Sequence, residues 1–345
     1  MKNETPHGPP RVINSTAPVR ICDNGGWTDT WFARHGKVFH IAVRPHVEVQ
    51  VEVRKRMGDE PHVVVNAENL ADADAGGDSL IDAAVERARV PEELAVKVNI
   101  FSEAPVGAST GTSAAVTVAL LGALDRLTPG RMSPHQIAHL AHSVETEALG
   151  RQSGIQDQLC AAHGGVNFVE IDSYPQARVS RVSAPDEVLW ELERRLSLVY
   201  LGKSHRSSDV HEKVIRELSD LGPDCKRLED LRRTAEASRD ALLSGDFAAL
   251  GRAMSENTEA QRRLHPEIVG SDAARVIEIA GRFGALGWKV NGAGGEGGSV
   301  TILGGDSSRR TRAMLAEIES AGRPYRRVPL SLSPEGLRVW ERTPA

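Results

Sequence analysis

Apolar positions recur along the chain in two periods, and the switches between them set out the order of elements. From Arg11 to Val53 the period is two: Val12-Ile13, then Val19 to Cys22, then Val38 to Val43. Next comes a strict alternation of Val47, Val49, Val51 and Val53 with Glu48, Gln50 and Glu52. Such patterns predict strands. A short run at 62–65 predicts another, followed by a loop rich in Ala, Asp and Gly. A helix is expected over 79–89, ending before Pro91, and a strand over 95–100. Residues 116–124 (Val-Thr-Val-Ala-Leu-Leu-Gly-Ala-Leu) carry an apolar helical pattern. Ser133-Pro134 is a helix-start signal and Gly150 a stop, so 134–149 reads as one helix, with a strand after it at 166–171.

The second half opens with a strand at 196–201. Charge-laced helices are expected near 209–220, 225–244, 246–263 and 271–286. Strands at 288–291 and 299–303 flank a glycine loop, and a helix over 307–321 precedes a final strand near 325–331. The Ser-, Pro- and Asp-rich stretch 172–186 is the expected junction, giving units over 11–185 and 186–345 after a disordered lead at 1–10. The mixed order predicts an α+β fold with antiparallel sheets rather than a regular βαβ winding.

Composition narrows the function classes. A chain of 345 residues is long enough for two cores. Lys and Arg number 42 against 47 Asp and Glu, a net charge of −5, and Arg54-Lys-Arg56 is too short for a nucleic-acid surface. No run of 18 apolar residues spans a membrane, and the polar first ten residues lack a signal-peptide core. Cys22, Cys160 and Cys225 show no CxxC spacing, which reads as buried or free thiols in a reducing cytosol, so a cytoplasmic location is expected. His135 and His139 are four apart and share a helix face, with His142 nearby, but no HExxH pattern or neighbouring cysteine supports zinc.

Four segments carry candidate chemistry. The stretch Pro105-Val-Gly-Ala-Ser-Thr-Gly-Thr-Ser-Ala-Ala115 joins a strand to the apolar helix. A helix start has unpaired N–H groups and partial positive charge, which suits phosphate. Gly107 and Gly111 let backbone approach an anion, and Ser109, Thr110, Thr112 and Ser113 add hydroxyls. Taken alone, the segment reads first as an ordinary capped helix. In Ile21-Cys-Asp-Asn-Gly-Gly-Trp-Thr-Asp29, Asp23 and Asp29 could accept hydrogen bonds from hydroxyls, or could sit on a solvated Asx turn. Gly154-Ile-Gln-Asp-Gln158 places Asp157 at a helix-to-loop exit beside small residues. Gly292-Ala-Gly-Gly-Glu-Gly297 satisfies GxGxxG, but a β-branched strand follows where a dinucleotide site needs a helix, so a glycine hairpin approaching a neighbouring loop is expected instead. Leu201-Gly-Lys-Ser204 has a Walker tail without its first glycine and fails as a P-loop.

The order and spacing of these segments resemble the GHMP small-molecule kinases, named for galactokinase, homoserine kinase, mevalonate kinase and phosphomevalonate kinase. The resemblance runs from about Ala17 to Val339. Ala17-Pro-Val-Arg20 with Gly25-Gly-Trp-Thr-Asp29 is closest to the sugar-anomeric branch, the heptose 7-phosphate kinases and fucokinases. Gln156-Asp-Gln158 and Gly202-Lys-Ser-His-Arg-Ser-Ser208 also resemble the heptose kinases.

The resemblance implies an N-terminal, ATP-binding, ribosomal-S5-like domain and a C-terminal ferredoxin-like domain. By it, Pro105, Gly107, Ala108, Ser109, Thr110, Gly111, Thr112 and Ser113 bind ATP phosphates, and Ser113 and Glu145 hold Mg2+. Asp157 is the catalytic aspartate and Arg20 lies near the transferred phosphate. Asp29 binds sugar, with Gly26, Trp27, Thr28, Gly292 and Gly294 around it. Arg206, with Lys203, His205 and Ser207, either anchors a phosphate on the sugar or forms a solvated loop.

Three departures stand out: a Ser-Thr pair in the phosphate loop, Trp27 in the first motif, and Glu296 where a glycine is usual, which would put an acid near the site. The implied activity is transfer from ATP to the anomeric hydroxyl of a heptose 7-phosphate or related sugar. The alternatives are a fucokinase- or galactokinase-like enzyme of a free sugar, which Trp27 favours, and a non-catalytic sugar or nucleotide sensor. Partners are then a sugar or sugar phosphate and ATP, without nucleic acid or membrane, and a homodimer stays open.

Overall fold

The valines at 47, 49, 51 and 53 point into a core while Glu48 and Gln50 face solvent, as their alternation requires. The computed structural model describes residues 11–70, 80–202, 207–218, 221–322 and 324–342. The expected lead at 1–10, and Lys203, His205 and Arg206, lie outside the described residues.

The first half comprises β1 (Arg11–Asn24), β2 (Gly36–Lys55), β3 (Val63–Glu68), α1 (Leu80–Ala88), β4 (Leu94–Ser102), α2 (Thr112–Leu124), α3 (Pro134–Ser143), α4 (Gln156–His163), β5 (Val166–Ser173) and β6 (Gln176–Arg181). After it come α5 (Asp186–Arg195), β7 (Leu196–Tyr200), α6 (Ser207–Leu218), α7 (Lys226–Leu243), α8 (Phe247–Leu264), α9 (Ser271–Arg282), β8 (Gly287–Val290), β9 (Ser299–Leu303) and α10 (Ser308–Ser320). The described chain closes with β10 (Arg326–Val328), β11 (Ser331–Leu332) and β12 (Arg338–Arg342). The fold is α+β.

The first sheet runs β12-β1-β2-β4-β3, with the β5–β6 hairpin on the first part of β2. Separate apolar runs at 12–22 and 38–53 become two long strands, β1 and β2, paired with each other along most of their length. Helix α2 lies on these strands and is buried on nearly all sides, which its apolar, charge-free sequence allows. The second sheet is antiparallel, β10-β7-β9-β8.

Several expectations change. The 172–186 stretch is not a bare junction: it holds the β6 strand and the turn that joins it to β5. The unit expected over 186–345 does not stay together, because β12 pairs with β1 and β11 with β2 in the first sheet. The helix expected over 134–149 is α-helical only to Ser143, then widens into a π turn, Val144–Ala148. Its start is a capping box between Ser133 and Gln136. The two cores also interleave. Trp27, Phe32 and Ala33 enter the second core, while Ala235, Leu242, Leu250 and Met254 of α7 and α8 join the first.

His40, fully buried on β2, lies between Gln156 Oε1 (3.3 Å) and Asn167 Nδ2 (3.3 Å). Burial, reinforced by the Arg20 charge, pushes its pKa down to about 3 despite the Gln156 hydrogen bond. The unfolded chain therefore binds a proton at His40 that the folded one refuses, so this contribution is lost as pH falls below about 6.5 toward 3. Buried carboxylates with raised pKa act in the opposite direction, so the comparison must be between variants. Urea unfolding of His40→Asn between pH 7 and 4 is expected to decline less steeply than in the parent, by up to about 1.4 kcal/mol per pH unit. Parallel slopes would remove His40 as an acid-sensitive element.

Candidate active site

Strand β4 ends at Ser102, and the loop that follows turns back onto β1 before α2 begins. Gly107 (φ 73°), Ser109 (φ 56°) and Gly111 (φ 73°) take the left-handed conformation. Gly111 is the N-cap of α2 and, lacking a side chain, makes no side-chain cap bond to the first turn. The loop is fixed from both halves. The Arg20 amide donates to the Thr110 carbonyl (2.9 Å), the Arg20 Nη1 to the Ser109 carbonyl, the Ser299 hydroxyl to the Ala108 carbonyl (2.6 Å) and the Tyr200 hydroxyl to the Val106 carbonyl (3.0 Å). Pro105, Gly107, Ser109, Gly111, Thr112 and Ser113 are half-exposed along this rim. Ala108 and Thr110 differ from expectation: both are buried, and the Ala108 amide and carbonyl already bond to Pro105 and Ser299.

Asp157 sits in the first turn of α4 rather than in a loop. Arg20 grips it with two parallel bonds, Nε to Oδ1 at 2.8 Å and Nη2 to Oδ2 at 3.0 Å. Gln156 Nε2 also donates to Asp157 Oδ1. A Cβ at Gly111 would stand 3.0 Å from Asp157 Oδ2, so the helix start and the carboxylate touch.

Asp29 and Glu145 lie behind this pair. Asp29 is buried and accepts the Gln156 amide (3.0 Å); burial pushes its pKa up to about 6, and the nearby Asp157 charge adds to the rise. Glu145 projects from the π turn, a local widening that often re-aims a side chain at a functional site. Burial raises it to about 7 against hydrogen bonds from Ser153 and Gln158, and Asp157 raises it further. Gln158 Nε2 donates to Glu145 Oε1 at 2.8 Å. Two buried carboxylates titrating near neutrality, beside a third, are an arrangement that a divalent cation or a proton relieves.

The first motif is placed only partly as expected. Gly26 lies against Asp23, its amide donating to the Asp23 carbonyl at 3.0 Å. Thr28 is fully buried, donating to the Gly25 carbonyl (2.7 Å) and accepting from the Lys37 amide (3.1 Å), so its hydroxyl staples the turn. Trp27 packs in the second core with only 6% of its surface exposed. In the third motif, Gly292 reaches the site: a Cβ there would lie 3.1 Å from the Ser109 carbonyl and 3.2 Å from Arg20 Nη2. Gly294 packs on Ile268 instead, where a Cβ would overlap a carbonyl at 2.1 Å. Glu296 turns to the start of α9, accepting the Ser271 amide at 3.1 Å.

Lys289 and Tyr174 were missed by sequence reasoning, and Gln156 and Gln158 stood in a motif without a role. The Tyr174 hydroxyl donates to the Ser153 carbonyl (2.9 Å) and meets His142 Nε2 (2.8 Å). His142 therefore faces inward, while His135 meets His139 and His163, each at 3.2 Å.

The profile of the GHMP kinases N terminal domain matches residues 79–165, and that of the GHMP kinases C terminal domain matches 238–319. The D-glycero-alpha-D-manno-heptose 7-phosphate kinase of Campylobacter jejuni is 23% identical over 342 residues, 96% of this chain and 99% of the relative. The mevalonate kinase of Thermococcus onnurineus is 31% identical over 255 residues, 72% of this chain and 70% of the relative. The crystal structure of a D-glycero-D-manno-heptose 1-phosphate kinase from Bacteroides thetaiotaomicron shares the fold at 19% identity, with a TM-score of 0.70 over 96% of this chain and 100% of that one.

Gly154 generates a test of the acidic pocket. A Cβ there would fall 2.1 Å from Asp29 Oδ2. Gly154→Ala is expected to push Asp29 off the Gln156 amide, speeding hydrogen exchange at that amide roughly tenfold, the equivalent of about 1 kcal/mol of hydrogen bonding. Unchanged protection would mean that Asp29 does not hold the start of α4.

Proposed function

The chain belongs to the GHMP kinases, and from that premise we propose that it transfers a phosphoryl group from ATP, with Mg2+, to the anomeric hydroxyl of a heptose 7-phosphate or related sugar, giving the sugar 1-phosphate. The observation that carries this reading is the Arg20–Asp157 pair set against the open start of α2. Phosphoryl transfer asks chiefly for positioning and for neutralisation of charge. The rim of half-exposed residues between Pro105 and Ser113 would receive the ATP phosphates, using the N–H groups of the helix start and the hydroxyls of Ser109, Thr112 and Ser113. Asp157, held at both oxygens, would orient the attacking hydroxyl and accept its proton. An anomeric hydroxyl is more acidic than an ordinary alcohol, so a carboxylate is an adequate base. Arg20, between Asp157 and the loop, would meet negative charge as it builds on the transferring group. Asp29, with Gly26 and Gly292 at the edge of the same pocket, would take sugar hydroxyls.

The donor chemistry also fits the metal. Glu145 and Ser113 offer hard oxygen ligands of the kind Mg2+ prefers, and burial, which raises the Glu145 carboxyl, makes a setting that a cation would relieve. Among the described residues no group of three or more His, Cys, Asp or Glu side chains could hold a metal ion, so phosphate oxygens and water would complete the shell. When bound, Mg2+ would screen the β- and γ-phosphate oxygens.

The full-length likeness to the Campylobacter heptose 7-phosphate kinase supports a phosphorylated heptose as acceptor. The free-sugar alternative rested on Trp27, whose ring is committed to the core. Arg206 remains the proposed anchor for the sugar's phosphate.

A phosphorus NMR assay with ATP, Mg2+ and a panel of free and phosphorylated sugars tests the reading. An anomeric phosphate signal is expected with the 7-phosphorylated heptose. Asp157→Asn should lower turnover roughly 10²–10⁴-fold with nucleotide affinity retained. Turnover only on free sugars would move the enzyme to the fucokinase-like side, and none on any sugar would favour a sensor. Because only the ionised carboxylate binds metal, the Mg2+ requirement should rise as pH falls below about 7. In Glu145→Gln the requirement should be high at every pH; a titration like the parent's would remove Glu145 as a ligand.

A further inference from the structure

Lys289 is fully buried on β8, and the function proposed above leaves it no task. Its Nζ lies 3.0 Å from Asp23 Oδ1, 3.1 Å from Gln261 Oε1 and within hydrogen-bond reach of the Val290 carbonyl, so all three of its protons are placed. Asp23, on β1 and only 3% exposed at its side chain, belongs to the other sheet. Its carboxylate also accepts the Gly292 amide, at 3.1 and 3.3 Å, and stands 3.9 Å from Arg20 Nη2. Gln261 closes the ring, donating from Nε2 to the Gly292 carbonyl at 3.1 Å. The first residue of the glycine loop is thus held at its amide and at its carbonyl by the same cluster, and a Cβ built on it would stand 3.2 Å from Arg20 Nη2 and 3.1 Å from the Ser109 carbonyl.

Arg20 therefore has two carboxylates within reach: Asp157, bonded twice, and Asp23, just beyond bonding distance. A guanidinium between two carboxylates goes to the less saturated one: Asp157 also accepts from Gln156 Nε2, whereas Asp23 accepts from Lys289 and from the Gly292 amide. We propose that Lys289 is a positioning residue for phosphoryl transfer: by saturating Asp23 it commits Arg20 to Asp157 and seats Gly292 against both. Burial opposes charge on Asp23, yet Lys289 and Arg20 overcome it and hold the carboxyl below the usual range. A buried ion pair is poor evidence of added stability, since well-packed apolar side chains often do as well. Its position beside the reacting pair is what it contributes. The effect of Lys289 on turnover rests on the kinase reading, whereas its effect on the Arg20 side chain does not.

The test uses the full chain as Lys289→Met, as Asp23→Asn/Lys289→Met, and as parent, at a temperature where circular dichroism shows all three folded. With Lys289 gone, Asp23 is free to draw Arg20 away, and kcat is expected to fall roughly 10²-fold, the cost of about 1 Å of misplacement. The nucleotide KM should stay within about threefold. Removing Asp23 as well takes away the competitor, and kcat should recover to within about tenfold of the parent. In arginine labelled with nitrogen-15, the Arg20 Nε–H signal should shift in Lys289→Met and return in the double variant. A role confined to stability would move the melting temperature and leave kcat and that signal alone. That result, or a double variant as impaired as the single, would overturn the proposal. If the parent turns over no sugar, the kinase reading fails while the NMR comparison still decides the role of Lys289. Should Lys289→Met not fold, Lys289→Gln, which keeps an amide donor near Asp23 without its charge, serves in its place.

Discussion

A buried guanidinium has five N–H donors and tolerates few of them empty, and Arg20 is the place where that demand organises the molecule. It takes both oxygens of Asp157 from α4, the Ser109 carbonyl from the phosphate loop, and the nearby Asp23 charge from its own strand. Each partner belongs to a different stretch of chain. Strand β1, the loop after β4, the start of α4 and the glycine loop after β8 must all be in place for the charge to be satisfied, so their relative positions are fixed to hydrogen-bond tolerance. The site is stiff for the same reason that it is costly to build.

The acids behind Arg20 show the opposite economy. Asp29 and Glu145 are held where water cannot solvate their charges well, and both titrate far above ordinary carboxylates. The fold bears that cost near neutral pH, with Asp29 pinned by the Gln156 amide and Glu145 by Gln158. Under the proposed function, a cation and hydroxyl donors bound in this pocket would relieve the cost that burial places on its charges.

What the sequence made legible was local. The loop before α2 was readable as a candidate anion seat because glycines, hydroxyls and an apolar helix follow one another within a short stretch, and the valine alternation at 47–53 needs no partner to be recognised. The glycine stretch at 292–297 was correctly read as a hairpin, since the strand Ser299–Leu303 follows it. Features set by distant residues were not readable. Lys289 in a short strand looks like a solvent-facing charge until Asp23, 266 positions earlier by numbering, is brought against it. Trp27 looked like a binding-site ring because it lies in a glycine-rich turn, whereas packing against residues after 198 decides its place. Arg338-Val-Trp-Glu-Arg342 carries too few apolar positions to announce an edge strand, and α5, with six charged residues in ten, too few to announce a helix.

Strand β12 lies beside β1, and Arg11 is bonded to Glu341 across that edge. The segment that pairs with the beginning of the described chain is thus close to its end. On a ribosome, β1 through β6 emerge long before residues 338–342, so one flank of the first sheet stays unpaired until those residues appear. The nascent chain must wait with an open backbone edge, and vectorial synthesis cannot complete this sheet one half at a time. Closing the first sheet is, for this topology, tied to the arrival of a segment 330 positions downstream of Arg11.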